Sequence, residues 1–157
     1  MGDLEHRSAS MGYQVNLLAR LLAQLLSRHV GRYGVAPGQF AQLLALYDQN
    51  GQTPAELCAA VGVEPGTMTK TLQRMERDAL IERRADPGDG RRIRIHLTER
   101  ARQLEPMLKT IVVELNTSVL EGLSPRQRGC FMAGLRRVIQ NTEAHLHDEQ
   151  GPRTRRT

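Results

Sequence analysis

Between Pro65 and Arg102 the sequence gathers hydroxyl, amide and guanidinium side chains suited to gripping a polyanion and reading hydrogen-bonding edges. From Pro65 onward, Met68, Leu72, Met75 and Ala79 share one face at helical spacing, while Thr67, Thr69, Lys70, Gln73, Arg74 and Arg77 fall off it. A helix entering the roughly 12 Å major groove of B-DNA needs that division between an inner apolar side and an outer polar one. Thr67, Thr69 and Lys70 lie near its start, where a recognition helix meets phosphates and base edges. Gln73 and Arg74 lie one turn deeper, and because Gln suits adenine and Arg suits guanine they are the residues expected to choose sequence. Farther on, Arg91 stands at the tip of the turn from Asp86 to Gly90, placed for the minor groove, whose negative potential attracts guanidinium groups. Asp89, two residues away, is expected to orient it, and Arg92 adds a second cation. A solvated helix face carries the same residue types singly; the grouping is what points to a nucleic acid.

Bond-breaking chemistry has no comparable footing. The chain contains no Gly-rich phosphate loop, GxSxG, HExxH or clustered carboxylate pair, so no enzyme and no cofactor is expected. His145 and His147 are two apart on a helical pattern and point to different sides, which disfavours a metal pair. Only Cys58 and Cys130 are present, with no CxxC, which disfavours a disulfide scaffold or a cysteine zinc site and suits a reducing cytoplasm. Both read as small core residues, since Cys58 is flanked by Leu57, Ala59 and Ala60 and Cys130 by Phe131. A redox sensor at Cys58 is the alternative, one that needs electropositive, accessible surroundings.

Charge agrees with a polyanionic partner. The chain has 157 residues, 22 Lys plus Arg against 17 Asp plus Glu, and a formal charge of +5. Position says more than the sum: residues 66–102 hold ten basic residues, from Lys70 through Arg100 and Arg102, against six acidic ones. The longest apolar stretch, Val15 to Val30, is interrupted by Asn16, Arg20, Gln24 and Arg28 and follows no cationic leader, so neither a membrane span nor a signal peptide is expected.

The elements that must position these groups are mostly helical. Residues 1–10 and the basic tail 151–157, with Arg153, Arg155 and Arg156, are unpatterned and expected to fray, leaving one domain over 11–150. Leu18, Leu21, Leu22, Leu25 and Leu26 stripe a first helix over about 11–31, ended by Gly31 and Gly34. A second begins near Pro37 with Phe40, Leu43, Leu44 and Tyr47 inward and breaks at Asn50 and Gly51. Thr53 to Glu56 forms a capping box opening a short third helix that Gly62 stops before Pro65 opens the fourth. Two helices joined by a tight Gly-containing turn make a helix-turn-helix. Ile93, Ile95 and Leu97 then alternate with Arg92, Arg94 and His96, the period of a half-buried strand whose partner is Leu80 to Ala85. The result is a hairpin with a cationic tip, anchored by its three apolar rungs. A long helix follows Thr98, bent at Pro106, and the capping box Ser124 to Gln127 opens a last one with Phe131, Leu135, Val138, Thr142 and Leu146 on one stripe. The fold expected is mainly α with a small β-hairpin wing: a winged helix-turn-helix over about 37–98, flanked by long terminal helices at about 11–31 and 98–147.

Thr53 to Leu57 (TPAEL), the 65–80 helix and above all Asp86 to Arg100 (DPGDGRRIRIHLTER) resemble the MarR family of bacterial regulators, over roughly residues 12–147. The family's wing pattern, Asp-Pro-x-Asp-x-Arg before an alternating strand ending in Leu-Thr, places its Asp and Arg on Asp89 and Arg91. Two positions depart: Ala101 stands where a glycine is frequent, and the fourth helix starts after Glu64, a poorer cap than Ser, Asp or Asn that brings negative charge near the phosphates.

The resemblance implies a homodimer with interlocked first and last helices, and the apolar stripes on those helices argue for it independently. A two-fold dimer would present two recognition helices to double-stranded DNA and prefer a pseudo-palindromic operator with half-sites about 10 to 10.5 bp apart. It also implies a repressor released by a small aromatic or phenolic effector, or an oxidant response through cysteine. Arg28, His29 and Tyr33 lie where an effector cleft would be lined, although an interface role suits His29 as well. A winged-helix module that binds protein and never DNA is the remaining reading.

Overall fold

Most helix starts in the computed structural model, which describes residues 9–149, are explained by a local cap. Ser10 caps helix α1 (Met11–Val30) by accepting from the Tyr13 amide at 3.4 Å. The chain tightens into a 3-10 turn, Gly31–Tyr33, so Gly31 prolongs the coil and it is Gly34, at φ +68°, that ends it. Helix α2 (Pro37–Asp48) opens with proline in its first turn, and Gln39 Oε1 accepts the Ala36 amide at 2.9 Å. In α3 (Pro54–Val61) the Thr53–Glu56 box closes both ways: the Glu56 amide donates to Thr53 Oγ1 at 3.3 Å and the Thr53 amide to Glu56 Oε2 at 2.7 Å. Helix α4 (Pro65–Arg77) follows with Glu64 as a cap that makes no side-chain bond.

Strands β1 (Ile81–Ala85) and β2 (Ile93–Leu97) form an antiparallel hairpin in register Ile81↔Leu97 through Ala85↔Ile93. Helix α5 (Glu99–Val119) continues through Pro106. The Ser124 box opens α6 (Pro125–Glu149), with Ser124 N donating to Gln127 Oε1 at 2.8 Å. Residues 1–8, the tail from 150 and the side chain of His147 lie outside the described residues, and with them the readings made for 1–8 and 151–157. Among the described residues no helix is long and apolar enough to cross a membrane.

The chain divides into two compact units, Met1–Leu115 and Asn116–Thr157. The first holds the core: Leu43, Leu46, Leu57, Met68, Leu72, Met75, Leu80 and Ile95 are fully buried, joined by Leu108 and Ile111. Each such side chain contributes about 1.5–3 kcal/mol by leaving water. On α1 the stripe is uncovered, with Leu18, Leu21 and Leu22 exposed and Leu25 and Leu26 half-buried. The second unit presents Phe131, Val138, Ile139 and Leu146 to solvent. Three sequence expectations change. Ala79 lies past the end of α4 at φ +53° and is exposed instead of facing inward. Ile93 is 44% exposed, because the far end of the hairpin extends beyond the core, so of the three alternating residues of β2 Ile95 and Leu97 anchor it, together with Ile81 of β1. Cys130 is exposed and Cys58 half-buried, so neither is a fully enclosed core residue.

Candidate nucleic-acid interface

The outer face of α4 follows from its inner one. Burial of Met68, Leu72 and Met75 turns Thr67, Thr69, Lys70, Gln73, Arg74 and Arg77 outward, and all six are exposed. Two hydroxyls are already committed as donors within the helix, Thr69 Oγ1 to the Pro65 carbonyl at 2.9 Å and Thr71 Oγ1 to Thr67 at 3.0 Å. With its proton spent, the Thr69 hydroxyl can offer a partner outside the helix only acceptor lone pairs, whereas Lys70 carries a charged donor. Arg77 leans on Asp78 with Nε 3.4 Å from Oδ1, an exposed pair.

The ten cations of residues 66–102 divide by what they already hold. Arg83 pairs with Glu76 at 3.0 Å, Arg84 with Glu82 at 2.5 Å, Arg92 with Asp89 at 3.4 Å and Arg102 with Glu99 at 3.8 Å. Arg94 pairs with Asp86, and Arg100 donates to the Asp78 and Tyr33 carbonyls. Among the described residues Lys70, Arg74 and Arg91 keep guanidinium or ammonium groups with no carboxylate partner, and all three are exposed. Two stand on α4 and one at the tip of the hairpin. His96 adds no charge at neutral pH, since burial and the Arg84 guanidinium hold it below its ordinary value.

The structure specifies how the wing turn is braced. Asp89 does not hold the Arg91 guanidinium: its Oδ1 accepts the Arg91 backbone amide at 3.1 Å and its Oδ2 faces Arg92. It fixes the turn and leaves the Arg91 side chain free. The main brace is Asp86, which accepts the Gly88 amide at 2.7 Å and the Arg94 guanidinium, contacts that keep its carboxyl below the usual range. Arg94 Nη1 then donates to the Gly51 carbonyl at 2.8 Å. The Asn50–Gln52 segment, read in the sequence only as a helix break, pairs with β2: Ile95 N donates to Gln52 O at 2.8 Å, Gly51 N to Ile95 O at 3.0 Å, and Leu97 N to Asn50 Oδ1 at 2.9 Å. Gly51 is needed there, since at φ +82° a Cβ would lie 2.9 Å from the His96 ring.

The effector candidates are partly spoken for. His29 Nδ1 donates to the Leu25 carbonyl at 2.8 Å, Arg28 lies on an open apolar depression with Leu21, Gln24 and Leu25, and the Arg32 guanidinium lies 5.0 Å from the centre of the Tyr33 ring. Cys58 opens onto a groove of about 540 Å³ between α3 and α4, beside Met68 and Thr69.

Residues 33–92 match the model of the MarR family. The chain is 27% identical over 135 residues to the HTH-type transcriptional regulator YsmB of Bacillus subtilis, covering 86% of this chain and 92% of that one. It is 28% identical over 105 residues to the HTH-type transcriptional repressor NicR of Pseudomonas putida, covering 67% and 66%. The fold matches that of a MarR-family regulator from Listeria monocytogenes complexed with 26-mer DNA, at a TM-score of 0.78 and 19% identity, over 94% of this chain and 98% of that one.

Proposed function

We propose that this chain is a MarR-family transcriptional regulator, a homodimeric repressor binding a pseudo-palindromic operator in double-stranded DNA. The observation that carries the reading is the trio Lys70, Arg74 and Arg91: exposed cations that the fold leaves unpaired while it pairs or spends most of their neighbours. In this reading α4 enters the major groove, where Gln73 and Arg74 select bases, with Thr67, Thr69, Lys70 and Arg77 flanking them. Arg91 enters the minor groove, and Asp89 and Arg92 shape the turn that carries it. The uncovered apolar faces of α1 and of α6 support a second copy as the covering partner, and the repressor named among its relatives supports the sign of regulation.

A small aromatic or phenolic effector near Arg28, His29 and Tyr33 would release the operator by binding better to the arrangement that does not fit DNA. The protein then acts in the cytoplasm, where its operator lies.

The test uses a duplex selected from a random pool by the wild-type protein. Log affinity should fall with log salt by about 0.9 per phosphate contact. Arg91→Ala should weaken binding to all duplexes, whereas Arg74→Ala should cost about 1–3 kcal/mol and relax one base position. A flat salt response, or equal losses from both variants on every duplex, refutes the reading.

A further inference from the structure

Recognition by α4 does not by itself explain how the far end of that helix is held. The helix closes on Asp78 and Ala79, with Leu80 N donating to Met75 O at 2.9 Å and Ala79 N to Glu76 O at 3.0 Å. Three other elements grip this exit. From α2, Gln39, 2% exposed, donates from Nε2 to Asp78 Oδ2 at 2.7 Å while its Oε1 holds the Ala36 amide. Ahead of α5, Thr98 Oγ1 donates to the Ala79 carbonyl at 2.8 Å. Within α5, Arg100 spreads its guanidinium over two carbonyls, Nη1 on Asp78 O and Nη2 on Tyr33 O at 3.0 Å.

Arg100 counts toward the basic total of the DNA-reading segment, yet its donors are used inside the protein. The carbonyls it bridges belong to two helix ends, the cap of α4 and the 3-10 turn that finishes α1, whose last acceptors have no intrahelical partner. A planar fork with donors in fixed directions sets the relative placement of two carbonyls, which a single-point ammonium does not. Gly34 makes room for it: at φ +68° a Cβ there would lie 2.7 Å from Arg100 Nη2.

We propose that Arg100 is a positioning residue for operator recognition, its guanidinium tying the end of α1 to the C-terminal cap of the recognition helix so that Gln73 and Arg74 meet base edges in register. The inference rests on the DNA-reading function above. It makes the corner formed by Tyr33, Gly34, Asp78 and Arg100 the joint through which a shift at the end of α1 reaches α4.

The experiment compares the wild type, Arg100→Lys, Gly34→Ala and the double variant on the selected duplex and on a scrambled one, well below each melting temperature and normalised to active protein. Arg100→Lys keeps the charge and loses the fork, so affinity for the selected duplex should fall about tenfold, while the scrambled duplex and the salt slope stay as in the wild type. Gly34→Ala displaces the same guanidinium without changing charge and should give the same pattern. The double variant should be no worse than either single, where independent effects would multiply to roughly a hundredfold. Wild-type affinity in Arg100→Lys overturns the proposal, as does an equal loss on both duplexes, which would make Arg100 a phosphate contact. Should Gly34→Ala not fold, Arg100→Lys decides alone. A wild type that selects no duplex refutes the DNA-reading function instead, and the positioning role with it.

Discussion

The recognition helix and the wing are held by opposite means. Helix α4 is set in place by the buried Met68, Leu72 and Met75, and its outward groups are largely unengaged. The hairpin is buried only at its base, through Ile81, Ile95 and Leu97, and toward its tip is secured by polar ties: Asp86 to Gly88 and Arg94, Arg94 to Gly51, Asp89 to the Arg91 amide and to Arg92. The residues that hold the helix are thus distinct from those proposed to read DNA, which makes its outer face free to vary without loss of fold. On the wing the same residue types do both, so its cations cannot all be counted as DNA contacts.

The contrast breaks most visibly at Leu72, 1% exposed in the core cluster. Leu72→Ala should cost about 2–5 kcal/mol by lost burial and the cavity left behind, measured by urea unfolding. A cost well under about 1 kcal/mol would mean that apolar packing does not set this helix. A smaller effect of opposite sign is expected where α4 ends. Ala79 adopts φ +53°, a conformation costing an L-residue roughly 1–2 kcal/mol, against about 0.4–1 kcal/mol for the unfolded-state freedom that glycine adds. Ala79→Gly should therefore raise stability by about 0.5–1 kcal/mol and the melting temperature by roughly 1–4 °C. A lower melting temperature would show that the corner tolerates alanine without strain.

This division also governs what was legible in the sequence. Periodicity and capping chemistry are local, so the helices, the Thr53 and Ser124 boxes and the hairpin strands could be read from residues a few positions apart. The apolar face of α4 could be read too, and hence the exposure of its reading groups. What could not be read were ties across large separations: Arg94 reaches Gly51, 43 residues earlier, and Arg100 reaches Tyr33, 67 residues earlier. No spacing rule distinguishes an arginine spent on a distant carbonyl from one aimed at a phosphate. That Asp89 acts on Arg91 through the backbone amide was not legible for a related reason: adjacency in the turn does not say whether a carboxylate meets a neighbour's amide or its side chain. One signal was available, the Asn50–Gly51 pair: a residue free to take positive φ is also one that lets another strand approach closely.

The smallest expected effect is the one that separates the two regions by chemistry alone. Asp86 has its carboxyl held below the ordinary value of 3.8, chiefly by the Gly88 amide and then by Arg94. A carboxyl whose folded value lies below its unfolded one stabilises the fold above the unfolded value, and that contribution is lost as pH falls through the folded value. Asp78, lowered first by the Gln39 hydrogen bond and then by Arg77, shares this acid limb, whereas the Met68, Leu72 and Met75 contacts do not titrate. Asp86→Asn keeps an oxygen for the Gly88 amide and removes the charge facing Arg94. At neutral pH amide exchange in β2 and the turn should quicken relative to the wild type, while exchange in the middle of α4 stays the same. Below the folded value of Asp86 the two proteins should exchange alike in the wing, since protonation has then done to the wild type what the substitution does. A wing difference that persists undiminished into acid would place the brace in the shape of the turn instead of its charge, and the contrast between a packed helix and an ion-tied hairpin would fail at its weaker side.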